Sequence, residues 1–385
     1  MPSSQWHSDA NVSSWLERLG ISNSASSTTP WVLCNSDGSL EDVLTNTLSN
    51  CTVIALDCEG DKLGRKGGTL SLISLRPLAP KSSTGTTSLI DVLAFPKESS
   101  ILKRLFSIIE SESIQKIVFD GRMDYCAFFY EYGVQMRNVL DMQLADIQSR
   151  AARGQSAKTQ NQRLFGYLPP NEVSQNRTMY SNVHRLGALS SCLMDHDIDV
   201  SPKDIVDHQA WLVRPIEEKH LGYAAHDVEL IESVYTVFKR RGFINRSLSE
   251  QSQRYITLWS DIQPSDNDVD VFRSHPLLPL DILVQGSPQD TTCGGCRRKL
   301  SQGCFPHFQW ELFCYVCLAV QAKNRSDSVD SRGTGGRRTP GAKKNRKRKN
   351  RRGVQYNDSE NEEYDGSSYP SIDLFVDDYL DAGWF

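Results

Sequence analysis

The sequence has no long apolar run. No stretch of its 385 residues approaches the ~18 consecutive apolar residues of a membrane-spanning helix. Residues 1–30 are rich in Ser, Thr and Asn and lack the apolar segment of a secretory signal. A soluble intracellular protein is therefore expected, with no membrane partner. Net charge is scarce as well, since 43 Lys and Arg stand against 47 Asp and Glu, leaving −4. That balance hides two one-signed runs: residues 332–352 hold eleven Lys/Arg and no acid, and 353–385 hold nine Asp/Glu and no base. With both runs set aside, residues 1–331 carry −6, so polyanion binding must come from local patches rather than the overall field. Chain-wide cysteine spacing is missing too. Five of the ten cysteines (Cys293, Cys296, Cys304, Cys314, Cys317) fall within 25 residues, while Cys34, Cys51, Cys58, Cys126 and Cys192 are scattered, which argues against a disulfide framework.

Hydrophobic periodicity predicts an α/β body over residues 30–245. Strands are expected at Trp31 to Cys34, Thr52 to Asp57, Leu70 to Arg76, Ser88 to Val92 and Lys116 to Phe119, with a strand end at Val139 to Leu140. Helices are expected at Ser39 to Leu48 with Ser39 as cap, at Ile101 to Glu110 and at Asp124 to Tyr132, and only helices follow up to Phe243. This order suggests a mixed sheet covered on both faces. Outside the body, residues 1–29 read as a flexible N-terminus and 246–290 as a linker with one weak helix, Gln251 to Ile262. The polar stretch 150–182 reads as a partly disordered insertion loop beside the functional face or as a plain surface insertion. Residues 291–320 form a cysteine module, and 321–385 a disordered tail, basic then acidic.

The apolar run Val53-Ile54-Ala55-Leu56 ends in Asp57-Cys58-Glu59-Gly60. Strand alternation places Asp57 and Glu59 on one face, where like charges repel unless a cation lies between them. Taken alone, the pair is also compatible with a solvated strand end. A second strand leads into Asp120-Gly121-Arg122-Met123-Asp124, and Asp124 suits a helix N-terminus. Farther on, Tyr223 and Asp227 are i and i+4 on a helix and share a face, with the small Ala224 and Ala225 between them allowing close packing.

The series Asp57-x-Glu59, then Asp124, then Tyr223-x-x-x-Asp227 resembles the DEDDy 3'-5' exonucleases, the RNase D-like branch of the ribonuclease H-like fold. The resemblance runs from about Trp31 to Phe243 and includes Leu70-Ser71-Leu72-Ile73, Asp141-Met142-Gln143-Leu144-Ala145, and Trp211 with Arg214-Pro215. It implies an enzyme in which Asp57, Glu59, Asp124 and Asp227 bind two Mg²⁺ or Mn²⁺, Asp57 bridging, while Tyr223 orients the attacking water. The implied substrate is a single-stranded 3' end, RNA rather than DNA, and the product a nucleoside 5'-monophosphate. Phe119 and Ser74 depart from the pattern, standing where many members carry His and Gln. Lys62, Arg65 and Lys66 beside the first motif and Arg122 beside the second are candidate phosphate contacts; a solvated loop and a structural arginine are the alternatives. His226 points away from Tyr223 and reads as structural. A catalytically weak or inactive RNA-binding scaffold on the same fold is the competing reading, and the presence of all five motif residues argues against it.

Cys293-Gly294-Gly295-Cys296 and Cys314-Tyr315-Val316-Cys317 have the spacing of a closed structural Zn²⁺ site, with Cys304 and His307 as spare candidates. Phe305, Phe308, Trp310, Phe313 and Tyr315 supply a small core around it or a surface for base stacking. The basic tract 337–352 reads as a nuclear localisation signal, a nucleic-acid tether, or both. The acidic-apolar segment 372–380 is suited to folding onto a protein partner.

Overall fold

The computed structural model describes residues 31–78, 85–181, 183–199, 206–265, 276–278, 282–283, 291–306 and 312–333. The expectations for residues 1–29, for Phe308, Trp310 and His307, for the basic tract from 337 and for 372–380 lie outside them.

Six strands form one sheet: β1 (Trp31–Cys34), β2 (Val53–Asp61), β3 (Thr69–Pro77), β4 (Thr87–Asp91), β5 (Gln115–Val118) and β6 (Val139–Asp141). Their order is β1-β4-β3-β2-β5-β6. β3 pairs antiparallel with β2 and β4. The β1–β4, β2–β5 and β5–β6 pairs are parallel, and each requires a crossover.

Helices α1 (Asp37–Asp42), α2 (Ser100–Glu110) and α3 (Arg122–Tyr132) cover one face. Helices α4 (Met142–Ala152), α8 (Leu189–Asp195), α9 (Glu218–Arg241) and α10 (Leu248–Ile256) cover the other. Between α4 and α8 lie α5 (Ala157–Gln162), α6 (Pro170–Gln175) and α7 (Arg177–Tyr180). The cap of α1 is Ser36 rather than Ser39: each serine hydroxyl accepts the other's backbone N–H, so Ser39 is the third residue of a capping box. The chain then continues as a π-helical turn over Val43–Leu48.

Strand β2 is the hinge of the architecture because its alternation serves both layers. Ile54, Leu56 and Cys58 point into the core under α1 to α3, and Ala55 points into the core under α9. Helix α9 approaches closely through Ala224 and Ala225, both fully buried against Leu72 and Leu89.

Three boundaries differ from the sequence expectation. Residues 246–290 are not simply a linker: Leu248, Tyr255 and Ile256 of α10 are fully buried. The buried face of α10 also carries Gln251 and Ser252, and apolar periodicity does not register a face buried through hydrogen bonds. The stretch expected as a partly disordered loop or surface insertion is, over 150–181, a series of short helices and turns. Its Leu164, Tyr167, Leu168, Val173 and Tyr180 share a core with Leu300, Phe305, Val316 and Val320 of the cysteine module. Nor does the chain lose structure at 321, because helix α11 (Tyr315–Gly333) runs through it. No described helix is long and apolar enough to cross a membrane.

Candidate active site and cysteine centre

Asp57 and Glu59 stand near the C-terminal end of β2, on the face that looks toward α9. From α9, Asp227 is directed at them, and carboxylate oxygens of Asp57, Glu59 and Asp227 all lie within 4.8 Å of one another. A β-bulge follows directly between Glu59 and Gly60, and it turns the strand away just past the second carboxylate. Gly60 is required there, since a Cβ at this position would sit 2.1 Å from the Thr69 carbonyl oxygen across the β2–β3 pair. Gly60→Ala is therefore expected to push β2 from β3 beside Glu59, costing about 2 kcal/mol of stability and most activity; an unchanged denaturation midpoint would reject this account.

Asp124 is not part of that trio. It enters from the first turn of α3, where its carboxyl is hydrogen-bonded by the thiol of Cys58. Burial, with the charge of Asp120 adding to it, pushes the Asp124 carboxyl up to about 7. The structure thus converges three of the four expected carboxylates and sets the fourth against the residue between the first two.

The start of α3 is fixed by a buried polar network. Asp141, at the end of β6, accepts the backbone N–H of Asp120 at 3.1 Å, of Gly121 at 3.0 Å and of Gln143 at 2.9 Å. Its own N–H donates to Ser252 Oγ at 2.8 Å, and the Tyr255 hydroxyl donates to Gln143 Oε1 at 2.8 Å. Ser252 and Tyr255 belong to α10, so the segment expected to be a linker supports the site. Its residues escaped the sequence reading because nothing in one chain signals a hydrogen bond 111 residues away.

Arg122 has the surroundings of the second of its two readings, a structural arginine. Its guanidinium is buried, pairs with Asp120 through Nη2 at 2.7 Å, and lies over the rings of Tyr255 at 4.6 Å and Trp259 at 5.3 Å. Burial opposes its charge, and Asp120, Tyr255 and Asp141 outweigh that effect and hold it above its ordinary range. Arg122→Ala is expected to cost about 2 kcal/mol, below the ~3–5 kcal/mol of a fully buried broken pair because the Asp120 side chain is 35% exposed. Chemical denaturation measures it, and an unshifted midpoint would show the pair contributes nothing. Lys62, Arg65 and Lys66, by contrast, are exposed on the loop after β2.

Tyr223 lies one helical turn before Asp227 and is half-buried, with its ring edge-on to His208 at 5.5 Å and tilted against Trp211 at 6.2 Å. The approach to α9 is fixed by Arg214, which donates to both carboxylate oxygens of Asp91 at 2.7 and 2.9 Å and to Ser71 Oγ at 2.8 Å. His226 faces Glu229 of its own helix at 3.6 Å, as a structural histidine would. His208 was not flagged by the sequence, where it carries no motif.

A divalent cation fits this donor set. Three carboxylates within 4.8 Å would repel without one. Ser74, paired in register with Asp57, also has a buried hydroxyl with no hydrogen-bond partner among the described residues.

The cysteine centre is built by a hairpin and a helix. Strands β7 (Thr291–Thr292) and β8 (Lys299–Leu300) flank the turn carrying Cys293 and Cys296, and Cys314 and Cys317 stand at the start of α11. The four sulfurs lie within 4.8 Å of one another, with Cys293 and Cys317 at 3.6 Å; a tetrahedral Zn–S₄ site with ~2.3 Å bonds has sulfurs about 3.8 Å apart. The Cys314 N–H points at Cys293 Sγ at 3.3 Å. A Cβ on Gly295 would lie 2.8 Å from Cys317 Sγ, so only glycine admits this sulfur. Hydrogen bonds among the sulfurs pull the Cys293 thiol down to about 6 and lower Cys296 as well, while raising Cys314 and Cys317. Cys304 is buried beside Ser301 and is not one of the four.

Residues 35–242, just over half of the chain, match the profile of the 3'-5' exonuclease family. None of the curated proteins is significantly similar to this chain. Solved structures similar to it include Trypanosoma brucei RNase D in complex with RNA U12, 19% identical, covering 71% of this chain and 84% of that one with a TM-score of 0.47. Others are Escherichia coli RNase D, at 21% identity, 60% and 54% coverage and a TM-score of 0.38, and Brucella melitensis NrnC with bound Mg²⁺, at 19%, 57% and 90%, and 0.37. With its carboxylates on the strand and helices that this profile spans, the chain belongs to the 3'-5' exonuclease family.

Proposed function

We propose that the protein is a metal-dependent exonuclease that shortens single-stranded RNA from its 3' end and releases nucleoside 5'-monophosphates. The observation that carries this reading is the convergence of Asp57, Glu59 and Asp227 within 4.8 Å, with Asp124 hydrogen-bonded to Cys58, the residue between the first two, in a chain of this family. Asp57, Glu59, Asp124 and Asp227 would hold two Mg²⁺ or Mn²⁺, which when bound lower the pKa of the attacking water and stabilise the leaving oxygen. Tyr223, fixed by α9 one turn from Asp227, orients that water through its hydroxyl. Lys62, Arg65 and Lys66 offer exposed charge to the substrate phosphates. Preference for RNA rests on the RNase D-like motif series. Cys293, Cys296, Cys314 and Cys317 would hold a structural Zn²⁺ with no open position for catalysis. The tract 337–352 supports a nuclear location.

The test is incubation of the purified chain with 5'-labelled and 3'-labelled single-stranded RNA and DNA in Mg²⁺, Mn²⁺ or EDTA. Shortening from the 3' end, faster on RNA and abolished by EDTA, is expected; no shortening would leave only a binding scaffold. Tyr223→Phe is expected to lower kcat about 100-fold with KM nearly unchanged, the signature of a lost transition-state contact.

A further inference from the structure

The catalytic body is acidic although its substrate is a polyanion. Residues 1–331 carry −6, and that charge is unevenly placed. The helical insertion and the cysteine module, residues 153–186 and 291–331, hold ten Lys/Arg against four Asp/Glu, so the remainder of 1–331 carries −12. These two segments, far apart in sequence, make one lobe: Leu164, Tyr167, Leu168, Val173 and Tyr180 pack in a single core with Leu300, Phe305, Val316 and Val320.

Half of the lobe's positive charge is exposed, while Arg153 and Arg163 pair with Asp146 and Asp195 of the body; part of its negative charge is taken up as well. Lys158, Arg177, Arg297, Lys299 and Arg325 are all exposed. Lys158 and Arg177 lie on adjoining helices, since Asn161 of α5 donates to the Arg177 carbonyl oxygen at 3.1 Å. Of the acids, Glu172 accepts the Tyr180 hydroxyl at 2.9 Å and the Asn176 amide at 3.1 Å, and Asp327 is paired with Lys323 at 2.7 Å. The lobe also joins the body at the polar network that fixes the start of α3. Gln143, which follows the Asp141 that fixes the start of α3, donates to the Gly187 carbonyl oxygen at 2.9 Å where the chain leaves the lobe. In the sequence α11 is followed by residues 334–352, which contain ten more Lys/Arg and no acid.

We infer that this cationic lobe is the anchoring surface for the RNA body upstream of the 3' end, compensating the acidity of the catalytic face. The inference rests on the exonuclease reading and extends it to a substrate class: RNA long enough to reach from the carboxylates to the lobe. Phosphate contacts of this kind supply affinity and processivity rather than sequence choice.

The experiment is binding of a 24-nucleotide single-stranded RNA to the full chain in EDTA, from 50 to 300 mM salt. Wild type is compared with Lys158→Glu/Arg177→Glu/Arg297→Glu/Lys299→Glu and with the matching Gln set, which keeps surface polarity. Because each lost phosphate contact on a single strand lowers the salt slope by about 0.7, the four-fold Gln variant is expected to reduce it by about 3 and weaken binding at least about 10-fold at 150 mM salt. The Glu variant should weaken it further. Equal affinity and slope in all three chains would overturn the lobe, as would a loss confined to an acidic polypeptide probe, which would mark a protein-binding face. The same RNA in Mn²⁺ separates the two readings: shortening by wild type with unchanged binding by the variants sinks only the lobe, and salt-dependent binding without shortening sinks only the nuclease.

Discussion

An Asp57→Asn chain is expected to shorten RNA at least about 1,000-fold more slowly than wild type while folding to the same stability. The position explains both halves of this outcome. Asp57 shares the cluster with Glu59 and the helix-borne Asp227, one carboxylate oxygen of each lying within 4.8 Å of the others, so a cation held among the three is within reach of it. Changing one carboxylate oxygen for an amide removes charge without volume. A loss of several kcal/mol of charge stabilisation at the reacting phosphate corresponds to three or more decades in rate. The fold does not need the charge, because β2 is held by Ile54, Leu56 and Cys58 on one side and Ala55 on the other. Removing a repelling acid is expected to leave the melting temperature unchanged or slightly raised in EDTA. Mn²⁺ should raise the melting temperature of wild type and do so less for Asp57→Asn, a readout independent of turnover. If Asp57→Asn shortens RNA as fast as wild type, the carboxylate cluster is not the catalytic centre.

What could be seen in the sequence was set by what one chain encodes locally. β2 announced itself because its apolar alternation and its two acids lie within nine residues, and α9 because Tyr223 and Asp227 keep helical spacing over a span that also holds its small contact residues. The four cysteines were legible because zinc-type spacing is a property of neighbouring residues. The role of Arg122 stayed open between phosphate contact and structural arginine for the opposite reason: its surroundings are set by Asp120, with φ of 58°, and by the rings of Tyr255 and Trp259 from a segment more than 130 positions away. The same limit hid α10, whose buried face is built from Gln251 and Ser252 as much as from apolar residues. It hid the lobe too, where the apolar residues of 164–180 share their core with partners more than 100 positions away, in the cysteine module. Side chains whose meaning depends on a distant partner carry no periodicity, and those were the ones the sequence left open.

That shared core yields the second large effect, expected on removal of Zn²⁺ by a strong chelator or in Cys314→Ser. Structural zinc in small modules binds with about 10–16 kcal/mol, comparable to the whole stability of an ordinary domain at ~5–15 kcal/mol, so a module of this size should not stay folded without it. The damage should not stop at residue 291. Loss of Phe305, Val316 and Val320 from the shared core exposes Leu164, Tyr167 and Tyr180, and the helices α5 to α7, each of six residues or fewer, are too short to persist alone. The sheet should survive, because neither of its two cores includes a residue of the module. Limited proteolysis after chelation is therefore expected to cut within 157–181 and 291–328 while a fragment containing β1 to β6 resists. Metal analysis should return one zinc per wild-type chain. Gly295→Ala, which drives a methyl group to 2.8 Å from Cys317 Sγ, should lower zinc affinity and give the same cleavage pattern at lower temperature. Cleavage confined to the cysteine module, with 157–181 still protected, would show that the insertion folds without it and that the two halves of the lobe are separate units.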